Sequence, residues 1–266
     1  MKISVVLNAH SNPKLITDTL ESIHTWMSND ILMVVDGSSW KQLTQRHYNA
    51  YLLEGFPHNY HRSPYRNIIY GLADAAKKWP DADWYCYMEQ DCLVGSNDFM
   101  KELEYANENG LWCLGADPRK LPINLPFFET ILKSKIKNYN YLLGCCIFHK
   151  GTFIRSIVSQ LERILYFTND FTKGFFPDYE EQGGYDIAEC LLPTMAEHFG
   201  GKVGGLVVWS EKAGKWVQGN GEKYPIRWRP DLPTENLYTS ASILHPVKDY
   251  NHPIREFQRK KRKALC

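Results

Sequence analysis

The chain has 266 residues, of which 44% are hydrophobic and 14% aromatic, and its 31 Lys and Arg residues nearly balance its 30 Asp and Glu residues. This composition provides enough apolar surface for a sizeable core, which excludes an intrinsically disordered chain. A formal net charge of +1 excludes a generally basic nucleic-acid-binding protein.

The sequence carries neither a membrane-spanning segment nor a cysteine framework. No apolar run approaches the roughly 20 residues of a transmembrane helix, and the first residues lack the apolar region of a signal peptide. The 7 cysteines are odd in number and include no CxxC spacing, so they predict neither a disulfide framework nor a zinc site. We therefore expect a soluble protein in a reducing, cytoplasmic compartment.

Apolar runs alternate with helical patterns along the first two hundred residues. Residues 3–7 form a continuous apolar run, which is typical of an interior strand in a parallel sheet. A capped helix begins at Pro13, and a second strand, residues 31–35, ends at Asp36-Gly37. Later helices are predicted at 63–79, 151–167 and 186–199, and later strands at 84–88, 111–115, 142–148 and 203–209. Residues 117–140 are predicted to be a surface excursion. The alternation predicts an α/β fold.

Two acidic pairs flank the predicted strand at 84–88. Asp81 and Asp83 precede this strand, whereas Glu89 and Asp91 end it. At about 3.3 Å per residue the pairs lie about 20 Å apart, and ligands of open α/β sheets bind at the carboxyl ends of strands. We therefore predict that Glu89 and Asp91 hold a divalent cation and that Asp81 and Asp83 are turn residues.

One stretch resembles the family 2-type glycosyltransferases with the GT-A fold. It comprises Arg66-Asn67, Gly71, Ala75 and the strand end Glu89-Gln90-Asp91, and it is similar to that family's ARN-x-G…A…D-x-D pattern, with Glu in place of the first Asp. The resemblance implies an α/β, GT-A type (Rossmann-like) fold, with a mostly parallel central sheet flanked by helices in a single domain with a C-terminal extension. Residues 1–115 would then be the nucleotide-sugar-binding half, and residues 116–266 the acceptor-binding half and tail.

The resemblance also implies roles on the donor side. Asp36 would hydrogen-bond the base or ribose of a nucleotide, and Asn8 is a further candidate for the same pocket. Arg62 and Arg66 lie four residues apart on one helix face and could reach a phosphate. A solvated helix face is the alternative for Arg62.

His245-Pro246-Val247-Lys248 resembles an arrangement in several metal-dependent GT-A enzymes. There a histidine near the C-terminus joins the cation and a nearby lysine contacts the diphosphate. The resemblance therefore implies that His245 is a metal ligand and that Lys248 binds phosphate. An imidazole beside carboxylates favours Mn²⁺ over Mg²⁺, which prefers oxygen ligands.

Residues 183–189 resemble the family's "ED" helix start, where an acid near the reacting sugar acts as base. The resemblance implies that Asp186 takes this role, although Tyr185 replaces the first acid of the pair. A helix cap is the alternative interpretation of Asp186, and Glu189, one turn along, is the alternative base.

The sequence thus predicts a metal-dependent glycosyltransferase of the hexosyltransferase type. It would move a sugar from a nucleotide diphosphate-sugar, with UDP preferred to GDP, to a glycan or another hydroxyl acceptor. Two alternatives are a sugar nucleotidyltransferase, whose usual glycine-rich loop is missing from residues 8–13, and a catalytically inactive nucleotide-sugar or glycan-binding module. The basic residues between Arg255 and Lys263 are predicted to form a solvated tail, with weak peripheral contact to an anionic membrane as the alternative.

Overall fold

The computed structural model describes residues 1–56, 63–121, 128–129, 132–168, 187–210, 215–218, 226–228 and 242–265. Its first part alternates strands and helices in the order β1 (Ile3–Ala9), α1 (Pro13–Trp26), β2 (Asp30–Val35), α2 (Trp40–Leu43), β3 (Tyr51–Glu54), α3 (Ser63–Lys78) and β4 (Trp84–Glu89). The remaining elements are β5 (Leu93–Val94), α4 (Met100–Glu108), β6 (Leu111–Leu121), β7 (Tyr139–Lys150), α5 (Gly151–Thr168), α6 (Ile187–His198), β8 (Lys202–Ser210), β9 (Lys215–Gln218), β10 (Ile226–Trp228), β11 (Ile243–His245) and α7 (Pro253–Lys263).

The described residues form a central sheet of eight strands in the order β3-β2-β1-β4-β7-β6-β8-β9. The first four strands are mutually parallel, β6 is parallel to β8, and β7 runs antiparallel to both β4 and β6. This confirms the predicted α/β, Rossmann-like fold class with a mostly parallel central sheet. Because β2 and β4 lie on opposite sides of β1, the loops that follow these strands diverge, and such a switch point opens a crevice at the carboxyl edge.

The side chains of β1 enter two cores on opposite faces of the sheet. Val6 packs with the residues of α3, whereas Val5 and Leu7 pack with those of α1. Gly71 lets α3 lie directly on the strands, because a Cβ there would stand 2.4 Å from Val6 Cγ1 and 2.7 Å from Val34 Cγ2. The glycine of the motif is thus explained by close helix-on-sheet packing.

The segment from 117 to 140 is more regular than predicted. Strand β6 continues to Leu121 and β7 already begins at Tyr139, and these two residues are partners in the antiparallel ladder. The prediction of a surface excursion is therefore wrong at both ends of the segment. The turn assignment of the first acidic pair is supported, because Lys2 binds Asp83 through its backbone N–H (2.7 Å) and Asp81 through its ammonium (2.8 Å) at the amino end of β4.

The C-terminal part of the chain returns to the first half of the domain. Strand β11 pairs antiparallel with β5 and parallel with β10, forming a second sheet of three strands among the described residues. Helix α7 packs against α1. The prediction of a solvated basic tail is wrong for Arg255 and Arg262, which are only 0% and 5% exposed, because both pair with the buried carboxylate of Asp18. In the part of the chain that the structure describes, no helix is both long enough and apolar enough to cross a bilayer.

His149 on β7 is a fully buried titratable group. Its Nδ1 lies 3.2 Å from Cys113 Sγ, and burial lowers the pKa of His149 from 6.5 to about 3. The folded state therefore keeps this imidazole neutral under conditions in which the unfolded chain binds a proton. Stability from this residue is complete above pH 6.5 and decreases as the pH falls toward 3.

We predict that the unfolding free energy of the wild-type protein falls as the pH is lowered from about 6 to about 4. Over this range it should fall by about 1.4 kcal/mol per pH unit more than that of His149→Leu. Urea denaturation at a series of pH values measures this difference. Parallel slopes for wild type and His149→Leu would contradict a neutral buried His149.

Candidate active site and metal centre

A cleft of about 340 Å³ opens at the carboxyl ends of β1, β2 and β4, at the switch point of the sheet. The residues predicted from the sequence that line this cleft are Asn8, Asp36, Glu89, Asp91 and Lys248. Its other lining residues are His10, Ser11, Asn12, Leu15, Asn67 and Gln90. The carboxylates that end β4 therefore share one cleft with Asp36, which ends β2.

His245 lies between the two acids of the strand end. Its Nε2 is 3.1 Å from Glu89 Oε2 and 3.1 Å from Asp91 Oδ1. The position follows from strand pairing, because Leu244 pairs with Leu93, two residues after Asp91. The backbone N–H of Val247 also donates to the carbonyl of Asp91 (2.8 Å). The structure thus brings His245 to the two acids of the strand end, of which Glu89 lies 156 positions earlier in the chain.

Electrostatics couple the acids and the imidazole. Burial alone would raise the pKa of Asp91, but the hydrogen bond and charge of His245, together with the charge of Lys248, lower it. Burial alone would lower the pKa of His245, but Asp91 and Glu89 raise it. The imidazolium form is therefore stabilised by the same carboxylates that would bind a cation, and a metal ion and a proton compete for this place.

The donor set fits a divalent cation. Ligand atoms of Asp91, Cys92 and His245 lie within 4.8 Å of one another. Cys92 is poorly suited to the role, because its thiol donates to the carbonyl of Cys145 (3.3 Å) and burial raises its pKa well above the ordinary value. The partly exposed carboxylate of Glu89 instead contacts Nε2 of His245. Two carboxylates with one imidazole are a ligand set suited to a divalent cation.

Gln90, which the sequence analysis did not single out, connects the strand end to the loop before α1. Its Oε1 accepts hydrogen bonds from the backbone N–H groups of His10 (2.9 Å) and Ser11 (3.0 Å). Its Nε2 donates to the hydroxyl of Ser11 (2.9 Å). The middle residue of the Glu-Gln-Asp sequence therefore fixes the opposite wall of the cleft.

Asn8 and Asp36 line the part of the cleft at the carboxyl ends of β1 and β2. Asp36 is 3% exposed, and its Oδ1 accepts from the backbone N–H of Ser38 (2.9 Å) and from the Ser38 hydroxyl. Asp36 therefore stabilises the turn after β2 and lines the cleft at the same time. Within the described residues, Asn8 Oδ1 is buried without a hydrogen-bond partner, which makes Asn8 suited to receive a donor group from a ligand.

Arg66, the predicted phosphate contact on α3, packs against the ring of Phe56. Its guanidinium carbon lies 3.7 Å from the centre of the Phe56 ring, and Arg66 is not among the described residues that line the cleft. Its neighbour Asn67 lines the cleft instead and accepts a hydrogen bond from the backbone N–H of Phe56 (2.7 Å). Arg62 lies outside the described residues.

One of the two candidate bases, Glu189, lies in the first turn of α6. Asp186 lies outside the described residues. Glu189 is half-buried, and its carboxylate accepts a hydrogen bond from the backbone N–H of Gly144 (2.7 Å). Because Cys146 pairs with Met88, this contact places Glu189 near the carboxyl edge of β4, beyond the described lining of the cleft.

Arg255 connects the two segments that carry the acids and the histidine. This fully buried side chain donates to the carbonyl of Cys92 (3.2 Å), next to Asp91, and to that of Val247 (2.9 Å), two residues after His245. Its charge is balanced by Asp18 on α1, at 2.8 Å. One guanidinium therefore holds α1, the strand end and the C-terminal segment in one arrangement.

No family model and no curated protein matches the chain. Solved structures are similar to it in part of the fold. A mannose-1-phosphate geranyltransferase from Thermus thermophilus is 16% identical, with a TM-score of 0.38 over 62% of this chain and 65% of that chain. The bifunctional IspDF from Campylobacter jejuni is 12% identical, with a TM-score of 0.40 over 82% of this chain and 52% of that chain.

A third structure is that of a glycosyltransferase involved in the glycosylation of the major capsid of PBCV-1. It is 11% identical, with a TM-score of 0.35 over 67% of this chain and 73% of that chain. The chain spans less than two thirds of the length of the first two structures. At these identities and TM-scores the similarity concerns the fold alone, and the residues of the cleft carry the functional proposal.

We predict that Arg255→Met lowers the free energy of unfolding by about 3 kcal/mol, because it removes a buried ion pair and leaves two buried carbonyls without their donor. Chemical denaturation measures the loss. Lys260→Met on the exposed face of the same helix is the matched control and should leave stability unchanged, since its partner Glu256 is also exposed. Equal stability of both variants would contradict the connecting role of Arg255.

Proposed function

We propose that the protein is a metal-dependent glycosyltransferase that moves a hexose from a nucleotide diphosphate-sugar to a glycan or another hydroxyl acceptor. Glu89 and Asp91 line a cleft that also contains Asp36, and both acids contact His245 behind it, which supports this proposal most directly. The cleft lies at the switch point of a mostly parallel sheet, where nucleotides bind in such folds. Its volume falls within the range of small-molecule sites.

In this proposal residues 1–115 form the nucleotide-sugar-binding half, and residues 116–266 form the acceptor-binding half and a C-terminal tail that adds His245 and Lys248 to the donor site. Asp36 and Asn8 would hold the nucleoside through its hydroxyl and N–H donors, with uridine preferred to guanosine. Lys248, which lines the cleft beside Asp91, would contact the diphosphate, and Arg66 with Arg62 would add positive charge on that side.

Glu89, Asp91 and His245 would hold a divalent cation, Mn²⁺ in preference to Mg²⁺. When bound, the cation supplies positive charge that neutralises the diphosphate. Lys248 would stabilise the negative charge that grows on the departing diphosphate as the glycosidic bond breaks, which favours the transition state over the ground state. Asp186 would accept the proton of the attacking acceptor hydroxyl, with Glu189 as the alternative base.

The loop between β1 and α1 favours this proposal over a sugar nucleotidyltransferase. A phosphate-cradling loop needs backbone N–H groups directed at the ligand. Here the N–H groups of His10 and Ser11 already donate to Gln90. The residues before α1 are therefore occupied in holding the strand end.

We predict that Asp91→Asn lowers Mn²⁺-dependent release of nucleoside diphosphate from its donor sugar by about 100-fold or more, because it removes a carboxylate from the cation site. A panel of UDP- and GDP-hexoses, with and without Mn²⁺, measures this release, and isothermal titration measures Mn²⁺ affinity. Asp83→Asn, at the other end of β4, is the matched control and should retain both properties. Equal loss in the two variants would refute the assignment of the metal site. Binding of Mn²⁺ and nucleoside diphosphate by wild type without turnover of any donor would favour the inactive binding module.

A second prediction concerns the base. Asp186→Asn should slow transfer to an acceptor by about 10²- to 10⁴-fold while nucleoside diphosphate affinity stays nearly unchanged, because the base contacts the acceptor and not the nucleotide. Glu189→Gln is the paired variant, and it should retain transfer if Asp186 is the base. Steady-state kinetics with saturating donor distinguish the two carboxylates. Normal transfer by Asp186→Asn would exclude Asp186 as the base.

A further inference from the structure

A second cleft, of about 590 Å³, lies on another part of the surface. It is bounded by α1, by residues 47–49 before β3, and by the end of α7. Its lining includes Glu21, Tyr48, Arg259, Arg262 and Lys263. Among the described residues, none lines both this cleft and the proposed donor cleft.

Positive charge exceeds negative charge around the second cleft. The carboxylate of Asp18 pairs with Arg255 (2.8 Å), with Arg259 (3.5 Å) and with Arg262. Only Glu21, whose Oε2 lies 3.7 Å from Arg262, adds a further carboxylate among the lining residues. With Lys263, four cationic side chains face two carboxylates, which leaves about two positive charges without compensation.

Buried hydrogen-bond donors accompany this charge. Arg262 is 5% exposed and Tyr48 is 6% exposed. In the part of the chain that the structure describes, neither Arg262 Nη1 nor Tyr48 Oη has a hydrogen-bond partner. Buried donors without partners are costly, so an acceptor-rich anion beside them would stabilise the folded protein.

We propose that the second cleft is a binding site for a phosphate-bearing ligand. A phosphate monoester carries a charge of about −1.5 to −2 at neutral pH and presents three acceptor oxygens. These properties match the excess of positive charge and the paired guanidinium groups, which bind planar or tetrahedral oxyanions in a bidentate manner. A singly charged carboxylate would compensate only half of this excess.

The phosphate group can come from a soluble phosphomonoester or from the headgroup of an anionic lipid. Both offer the same chemistry to Arg259, Arg262 and Lys263. The site is separate from the proposed metal centre, because the residues of the two clefts do not overlap among the described positions. Binding is therefore measured on the metal-free protein.

Isothermal titration of the full chain with inorganic phosphate, in a chelator-containing buffer at low ionic strength, tests the site. Lys263→Gln should weaken phosphate binding by about fivefold, because it removes a nearby positive charge. Glu21→Gln should tighten it by a similar factor, because it removes the opposing carboxylate. Both side chains are exposed, so neither substitution threatens folding. Lys260→Gln, on α7 but outside the cleft, should leave the affinity unchanged.

The site is supported if phosphate affinity decreases in Lys263→Gln, increases in Glu21→Gln and stays unchanged in Lys260→Gln. Absence of phosphate binding to wild type, or binding that none of these substitutions alters, overturns it. Acetate should bind more weakly than phosphate, and equal affinities would contradict a phosphate site. If the protein cosediments with phosphatidic acid vesicles and Lys263→Gln weakens this cosedimentation, the phosphate belongs to a lipid headgroup. If the protein binds phosphate but does not cosediment, the phosphate belongs to a soluble ligand.

Discussion

The arrangement of the candidate active site depends on one buried carboxylate. Asp18 on α1 is 2% exposed, and it pairs with three arginines of the last helix. A carboxylate and a guanidinium are tolerated in such surroundings only when each satisfies the other. Through Arg255 this pair reaches the carbonyls of Cys92 and Val247. The first and last helices, α1 and α7, are thereby joined behind the cleft, and His245 is held against Glu89 and Asp91.

The same cleft combines residues of quite different exposure. Asp91 is largely buried and its pKa is lowered by His245 and Lys248 against the opposing effect of burial, whereas the Glu89 side chain is 40% exposed. A cation held by such a set would contact one acid that is fixed by its surroundings and another that can adjust. On the opposite wall, Gln90 keeps the loop before α1 in place. These features together support the proposed transfer of a sugar from a nucleotide diphosphate.

Much of this arrangement could be predicted from the sequence, because it depends on local patterns. Continuous apolar runs predicted the buried strands, and the position of Glu89 and Asp91 at the end of the apolar run 84–88 predicted their place at the carboxyl edge. The short strands β5 and β11 have 2 and 3 residues and therefore carry no periodic signal. The basic character of α7 suggested solvent exposure, because its partner Asp18 lies 237 residues before Arg255. Gln90 gave no signal, since an amide within an acidic motif has no specific pattern.

The amide of Gln90 has a consequence for the charge balance of the strand end. Two backbone N–H groups need an acceptor at this position, and a carboxylate would satisfy them equally well. A glutamate would, however, set a third negative charge between two acids that already lie close together, and mutual repulsion would promote protonation of one of them. The neutral side chain thus supplies the required oxygen without adding a negative charge beside Asp91, whose pKa is kept low by His245 and Lys248.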